Sequence, residues 1–426
     1  MALKAIRCQF RFSQTTNREE PALTYEEFLS QAVVSKEVID LFADPDRPTW
    51  SQFDPEVGYV LGHYMPRDGI AGSSTISTVQ KNGARTGVIY ADRPCRINTY
   101  GNSFTHCHQV SDEETWQEYL AAHLGEPIRN FGMGGFGVYQ AYRRMLRTEQ
   151  TEYAAKYVIL YIWGDDHCRS CMRARHFAIT RWYKQHAPRM FHGNFWSNIE
   201  MDLDTGQFVE NEQLLPTRES LHKMCEPDFV VDAMKDDLMI QLYALRYQRS
   251  DGEAVTGFDL DKLNRLAELL GTEPLPAANG AAAMPAAEQL LWAYGFAATK
   301  HIVAKAARFT AESGKELMVV LFSPAITREL VDHGTRRDQP IVDYLNRNEF
   351  RTFDMNLVHV EDFKCFNIPY ADYWKRYTVG HYSPAGNHFF AHSIRPHIVD
   401  WLDPKPITYQ NDEEKMIGFE EGYLHE

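Results

Sequence analysis

The chain has 426 residues, of which 44% are hydrophobic and 24% charged, enough apolar material for a folded core and too much for wholesale disorder. Lys and Arg number 44 against 58 Asp and Glu; the formal net charge of −14 argues against a general nucleic-acid binder, which needs a basic footprint. No apolar run reaches the roughly 18 residues of a membrane span, so neither nucleic acid nor membrane is an expected partner.

The opening stretch, MALKAIRCQFRFSQTTNREE, lacks the apolar core of about 7–15 residues that marks a secretory signal. Seven cysteines (Cys8, Cys95, Cys107, Cys168, Cys171, Cys225 and Cys365) are too few, and odd in number, for a disulfide framework. A cytoplasmic location is the simplest expectation. Residues 1–90 carry the hairpin signal Asn82-Gly83 and the Pro-rich stretch Asp44-Pro-Asp-Arg-Pro48, and read as a small β-rich cap. Short β-rich runs follow at 96–101, 128–132 and 157–164, and two more at 316–322 and 353–360. Between them lie helical patterns. Ser111-Asp-Glu-Glu114 opens 115–124 as a capping box, and Gly125 stops it; 138–148, 288–313, 341–345 and 387–402 are the others. Strands alternating with helices predict an α/β fold with a mainly parallel central sheet, whose ligands sit at the carboxyl ends of the strands. Residues 91–166 and 288–405 would form that domain. Residues 167–287 interrupt it as an insertion or lid, aromatic at its start (Phe177, Trp182, Tyr183, Phe191, Phe195, Trp196) and ending in a low-complexity stretch at 274–285. Residues 406–426 read as an acidic tail.

Four strand ends and loops carry residues suited to chemistry. Tyr100-Gly101-Asn102-Ser103-Phe104 places a serine at a tight strand-to-helix turn, where it is either a nucleophile or a cap. Asn130-Phe-Gly-Met-Gly-Gly-Phe-Gly137 offers backbone N–H groups for an oxyanion hole, or close helix packing; it lacks P-loop spacing. Trp163-Gly-Asp-Asp-His-Cys-Arg169 pairs Asp165 with Asp166, for a metal, a base or a helix cap. Gly380-His-Tyr-Ser-Pro-Ala-Gly-Asn387 sets His381 in a loop before the last helix, a position suited to acid/base work.

In that order, the four pieces resemble the SGNH (GDSL-type) hydrolase family over residues of about 95–166 and 316–402. The resemblance implies a flavodoxin-like three-layer sandwich and acyl-ester chemistry through a Ser-His-Asp arrangement, with no cofactor and no metal. It implies that Ser103 is the nucleophile, His381 the base and Gly135 an oxyanion donor. Two departures stand out. The family's Asn in the third motif is replaced by Asp166, so that either Asp166 is protonated, Asn102 or Asp165 supports the hole instead, or the hole is weaker. The acid expected two or three residues before the histidine is absent, because Thr378 and Val379 stand there. Asp372 is the first candidate to replace it, with Asp362 and Asp354 as others, or a Ser-His dyad held by a backbone carbonyl.

Two clusters lie outside the motifs. His106-Cys107-His108 and His167-Cys168-x-x-Cys171 could meet as a zinc site or as a Cys107–Cys168 disulfide, or simply pack. Arg169, Arg173, Arg175 and Arg181 could attract an anionic substrate or pair with nearby acids. The expected function is a serine esterase or deacylase acting on a small acyl ester, anionic or carbohydrate-linked. An O-acyltransferase and a binding protein with a retired site are the alternatives.

Overall fold

Two continuous apolar runs, Tyr157–Trp163 and Glu316–Phe322, set the architecture. In the computed structural model, which describes residues 23–175, 188–247, 255–276 and 284–410, both are strands covered on both faces. They belong to a five-stranded, all-parallel sheet. Its strands are numbered here in chain order: β1 (Ile97–Gly101), β2 (Arg129–Asn130), β3 (Tyr157–Trp163), β4 (Glu316–Phe322) and β5 (Arg351–Asp354). The spatial order is β2-β1-β3-β4-β5. That is a doubly wound order whose switch point lies between β1 and β3, where ligands of such sheets bind.

Alternation along the strands divides the interior into two layers. Val158, Leu160 and Ile162 face one core, with the helices Val138–Thr148 and Met284–Glu312. Tyr157, Ile159 and Tyr161 face the other, with Trp116–Leu124 and Pro384–Trp401. Burying each Val, Leu or Ile here stabilises by about 1.5–3 kcal/mol relative to exposure. Among the described residues no helix is long and apolar enough to cross a membrane.

Several elements differ from expectation. The β-rich reading of 1–90 is corrected for residues 23–90, which hold two helices, Tyr25–Ser30 and Lys36–Ala43, beside the hairpin Ser51–Asp54 with Gly58–Leu61. A capping box between Thr24 and Glu27 starts the first helix, and Val38, Ile39 and Phe42 bury one face of the second. The run at 353–360 is strand only to Asp354. There the Asp354 carboxylate accepts the Asn356 N–H at 3.0 Å and opens the helix Met355–Phe363, so a local cap outweighs β propensity. The Ser111/Glu114 box closes a short turn, and Thr115 caps Trp116–Leu124.

The cap and the insertion are not separate bodies. Leu23–Thr24 pairs in parallel with Val255–Thr256, and Val34 N–H donates to Met224 O at 2.9 Å. Their apolar side chains join the core layer on the Val138–Thr148 side of the sheet. Cys8, Phe177, Arg181, Trp182 and Tyr183, residues 277–283 of the low-complexity stretch and 411–426 of the tail lie outside the described residues.

Candidate active site

At the end of β1 the chain turns sharply through Gly101, whose φ of 153° and lack of a side chain are both required. A Cβ there would lie 2.3 Å from Thr105 Oγ1 and 2.5 Å from Tyr161 O. Asn102 then caps the single turn Ser103–His106 by accepting the Phe104 N–H at 2.8 Å. The turn presents Ser103 at the carboxyl edge of the sheet. From the far end of the chain, the loop before the helix Pro384–Trp401 brings in His381. Ser103 Oγ lies 2.8 Å from His381 Nε2.

The other ring nitrogen fixes the proton. His381 Nδ1 is 2.9 Å from Gln109 Oε1, which also accepts the His381 backbone N–H at 2.9 Å. The amide cannot be reversed without loss, because Gln109 Nε2 donates to Asp68 O at 2.9 Å and Val379 O at 3.2 Å. Nδ1 therefore carries the hydrogen, and the Nε2 lone pair faces the serine hydroxyl. Gly380, at φ 129°, permits this contact: a Cβ there would lie 2.5 Å from Gln109 Oε1.

Gln109 has a left-handed backbone, φ 74°, in a loop locked by Arg85. The buried Arg85 guanidinium pairs with Asp112 at 2.8 Å and donates to the carbonyls of His106, Cys107, Val110 and Ile76. Next along the loop, His108 pairs with Asp68 at 2.7 Å and stacks on the His381 ring, centroids 5.0 Å apart. Burial, then the neighbouring His108, pulls the His381 pKa down to about 3; Asp68 opposes this and Arg169 adds to it. His381 is thus a neutral base at ordinary pH.

The three carboxylates considered as its partner are engaged elsewhere. Asp372 is exposed and pairs with Lys375 at 2.7 Å, Asp362 accepts the Tyr377 hydroxyl at 2.7 Å, and Asp354 pairs with Arg336. The position given to Asp372 belongs to Gln109, an uncharged acceptor.

The oxyanion side also differs from expectation. On the glycine run, a Cβ on Gly134 would lie 2.7 Å from the Trp50 ring and 3.6 Å from Ser103 Cβ, and one on Gly135 would meet Arg175 and Tyr59. Among the described residues no protein acceptor lies on the N–H groups of Ser103, Gly134 or Gly135. Asn102 cannot contribute its amide, which donates to Asp166 Oδ2 at 2.6 Å and Tyr161 O at 3.2 Å. Asp166 also accepts the Trp163 N–H at 2.8 Å and a hydrogen bond from Arg169 at 2.8 Å. Burial raises the Asp166 pKa to about 7, against the pull of Arg169. Asp166 is a buried anchor for Asn102 and Arg169 and does not face the hole. Asp165 lines a separate cavity of about 290 Å³ with Trp163, His167, Trp292 and Phe322.

The His/Cys groups do not assemble. Cys107 lies in one core layer and Cys168 and Cys171 in the other, with the sheet between them. His167 Nδ1 bonds Thr299, and among the described residues no cysteine is in a disulfide. Among the described residues no group of three His, Cys, Asp or Glu could hold a metal. Motif reading missed Gln109, Arg85 and Asp68, which carry no motif.

No family model matches the chain, and no curated protein matches it. A crystal structure of a member of the lipolytic protein G-D-S-L family from Veillonella parvula DSM 2008 is similar over 72% of this chain and 100% of that one, at 10% identity and a TM-score of 0.34. Similarity at that level decides neither fold nor chemistry.

Proposed function

We propose that the chain is a serine-dependent acyl-ester hydrolase of the SGNH kind, working through Ser103, His381 and Gln109. The observation that carries this reading is the relay Ser103 Oγ–His381 Nε2, 2.8 Å, with His381 Nδ1 held 2.9 Å from Gln109. A serine hydroxyl is a weak nucleophile until a base takes its proton. His381 stands in hydrogen-bond reach, neutral and in the required tautomer. As Ser103 Oγ attacks the ester carbonyl, its proton passes to Nε2. The N–H groups of Ser103 and Gly134 stabilise the developing oxyanion. His381 then returns the proton to the leaving alkoxide, and the acyl-enzyme forms. Water, deprotonated by the same nitrogen, releases the acid and restores the serine.

A fluorophosphonate probe followed by peptide mapping tests the assignment, with 4-nitrophenyl acetate as substrate. Labelling should fall on Ser103, and Ser103→Ala should lose both label and turnover. Absence of labelling together with absence of ester cleavage would sink the hydrolase reading.

A further inference from the structure

The arginines that follow β3 do different things. Arg169 is tied to Asp166 at 2.8 Å, and Arg173 to Glu200 at 3.1 Å. Arg175 is 4% exposed, and among the described residues no carboxylate pairs with it. Its Nε is buried without a hydrogen-bond partner. Residues 176–187, next in the chain, contain no Asp or Glu. A buried guanidinium is ordinarily paired, because an unpaired ion in the interior costs several kcal/mol. Burial, then repulsion from Arg169, lowers the Arg175 pKa to about 10, as an uncompensated charge requires.

Its place in the fold says what it serves. A Cβ on Gly135 would lie 2.6 Å from Arg175 Nε and 3.2 Å from one terminal nitrogen, and the preceding Gly134 abuts Ser103. Beside it are two groups that carry no negative charge. Tyr59 donates its hydroxyl to Gly134 O at 3.1 Å, and burial, then Arg175, keeps His192 neutral. Arg169 has one carboxylate contact, to Asp166, and its guanidinium lies over the Trp163 ring at 5.3 Å. Of the two guanidiniums, Arg169 is neutralised by its contact with Asp166, whereas Arg175 has no carboxylate in contact among the described residues.

We propose that Arg175, supported by Arg169, is an anion-recognition subsite, and that the ester cleaved at Ser103 carries a carboxylate on its acyl side. This rests on the reading of Ser103 as nucleophile. The leaving alkoxide takes its proton from His381 and so lies against the imidazole. The glycine pair and Arg175 behind it face the acyl portion. Tyr59 engages the guanidinium by a hydrogen bond, and the unpartnered Nε–H remains to be met by an anion, which a guanidinium binds more strongly than a neutral acceptor.

Two substrates of equal reach test it: mono-4-nitrophenyl adipate and its methyl ester, which differ by one charge. With the full chain, and Ser103→Ala as the blank, kcat/KM should be about tenfold or more higher for the charged ester. The advantage should shrink with added NaCl and vanish in Arg175→Met. Calorimetry with adipate on Ser103→Ala should show saturable binding that Arg175→Met loses and Arg175→Lys partly keeps. Equal rates on the two esters, or no adipate binding, overturn the subsite. Cleavage of neither ester defeats the nucleophile reading instead, and adipate binding then decides the subsite by itself.

Discussion

Gln109 gives His381 direction without charge. Its Oε1 accepts the Nδ1–H, so the imidazole has the tautomer and orientation that a carboxylate would impose. It lacks the negative charge that would stabilise the imidazolium formed during attack. Replacing a triad carboxylate by an amide in the wrong orientation costs roughly 10⁴ in rate, largely through the wrong tautomer. Here the tautomer is right, so the deficit is confined to the charge. Gln109→Ala should therefore lower kcat/KM on 4-nitrophenyl acetate by about 10²-fold or more, through a freely turning ring. Gln109→Glu should move the acid limb of the kcat/KM–pH profile upward from about pH 3, because a carboxylate beside Nδ1 favours the protonated ring. A downward or absent shift would remove Gln109 from contact with the base. The glutamate variant should also lose stability, by about 1–3 kcal/mol, since it can no longer donate to Asp68 O and Val379 O.

At the scale of elements, the decisive piece is the loop between the turn Ser103–His106 and the helix Trp116–Leu124. It has two non-glycine residues in left-handed conformations, Cys107 at φ 60° and Gln109 at φ 74°. Such residues persist only where the surroundings over-determine them. Arg85 does so, with one buried ion pair and four carbonyl contacts from a segment that precedes the sheet. Arg85→Met would leave Asp112 buried and unpaired, a change that costs about 3–5 kcal/mol in comparable sites. Thermal unfolding should show a lower midpoint, and kcat should fall further than KM rises, because Gln109 is released with the loop. A variant of unchanged stability and rate would show that the loop holds itself. Motifs could not predict this device, since an arginine 24 residues upstream of Gln109 follows no spacing rule. The strand reading at 353–360 failed for the opposite reason. Its apolar residues suit a strand, and a single side chain, Asp354, starts a helix there.

For the molecule as a whole, burial of titratable groups sets the response to acid. His106, His167, His192 and His359 are all buried, and burial is the first cause of a lowered pKa in each. Each remains neutral when folded and takes up a proton near pH 6.5 when unfolded, so the stability it lends is present above that pH and lost as pH falls below it, down to about 3 for His167 and His359. Asp166 and Asp237 act in the opposite sense. Their pKa values are raised to about 7 by burial, so their contribution is complete below the ordinary carboxylate value and lost as pH rises through about 7. Four histidines outweigh two acids. The apparent Tm should peak between about pH 6.5 and 7 and drop on acidification to pH 4.5, as differential scanning fluorimetry would record. A Tm that is flat or rising over that interval would contradict the neutral burial of these imidazoles. The shared core of the N-terminal segment and the insertion means that loss of either should unfold both.

The order of strands and helices follows from local features of the sequence, and the roles of Ser103 and His381 were implied by the resemblance of their motifs to the SGNH family. Continuous apolar runs, glycines at turns and capping side chains act over a few residues, and their pattern survives in the linear chain. Which group holds the base and which arginine is left unpaired were decided only by the fold. Gln109 and His381 are 272 residues apart, and Ser103 and His381 278. Contacts at such separations depend on how two layers pack across one sheet. The demand that every buried charge find a partner, which Arg175 alone among the described arginines after β3 leaves unmet, becomes visible only once burial is known.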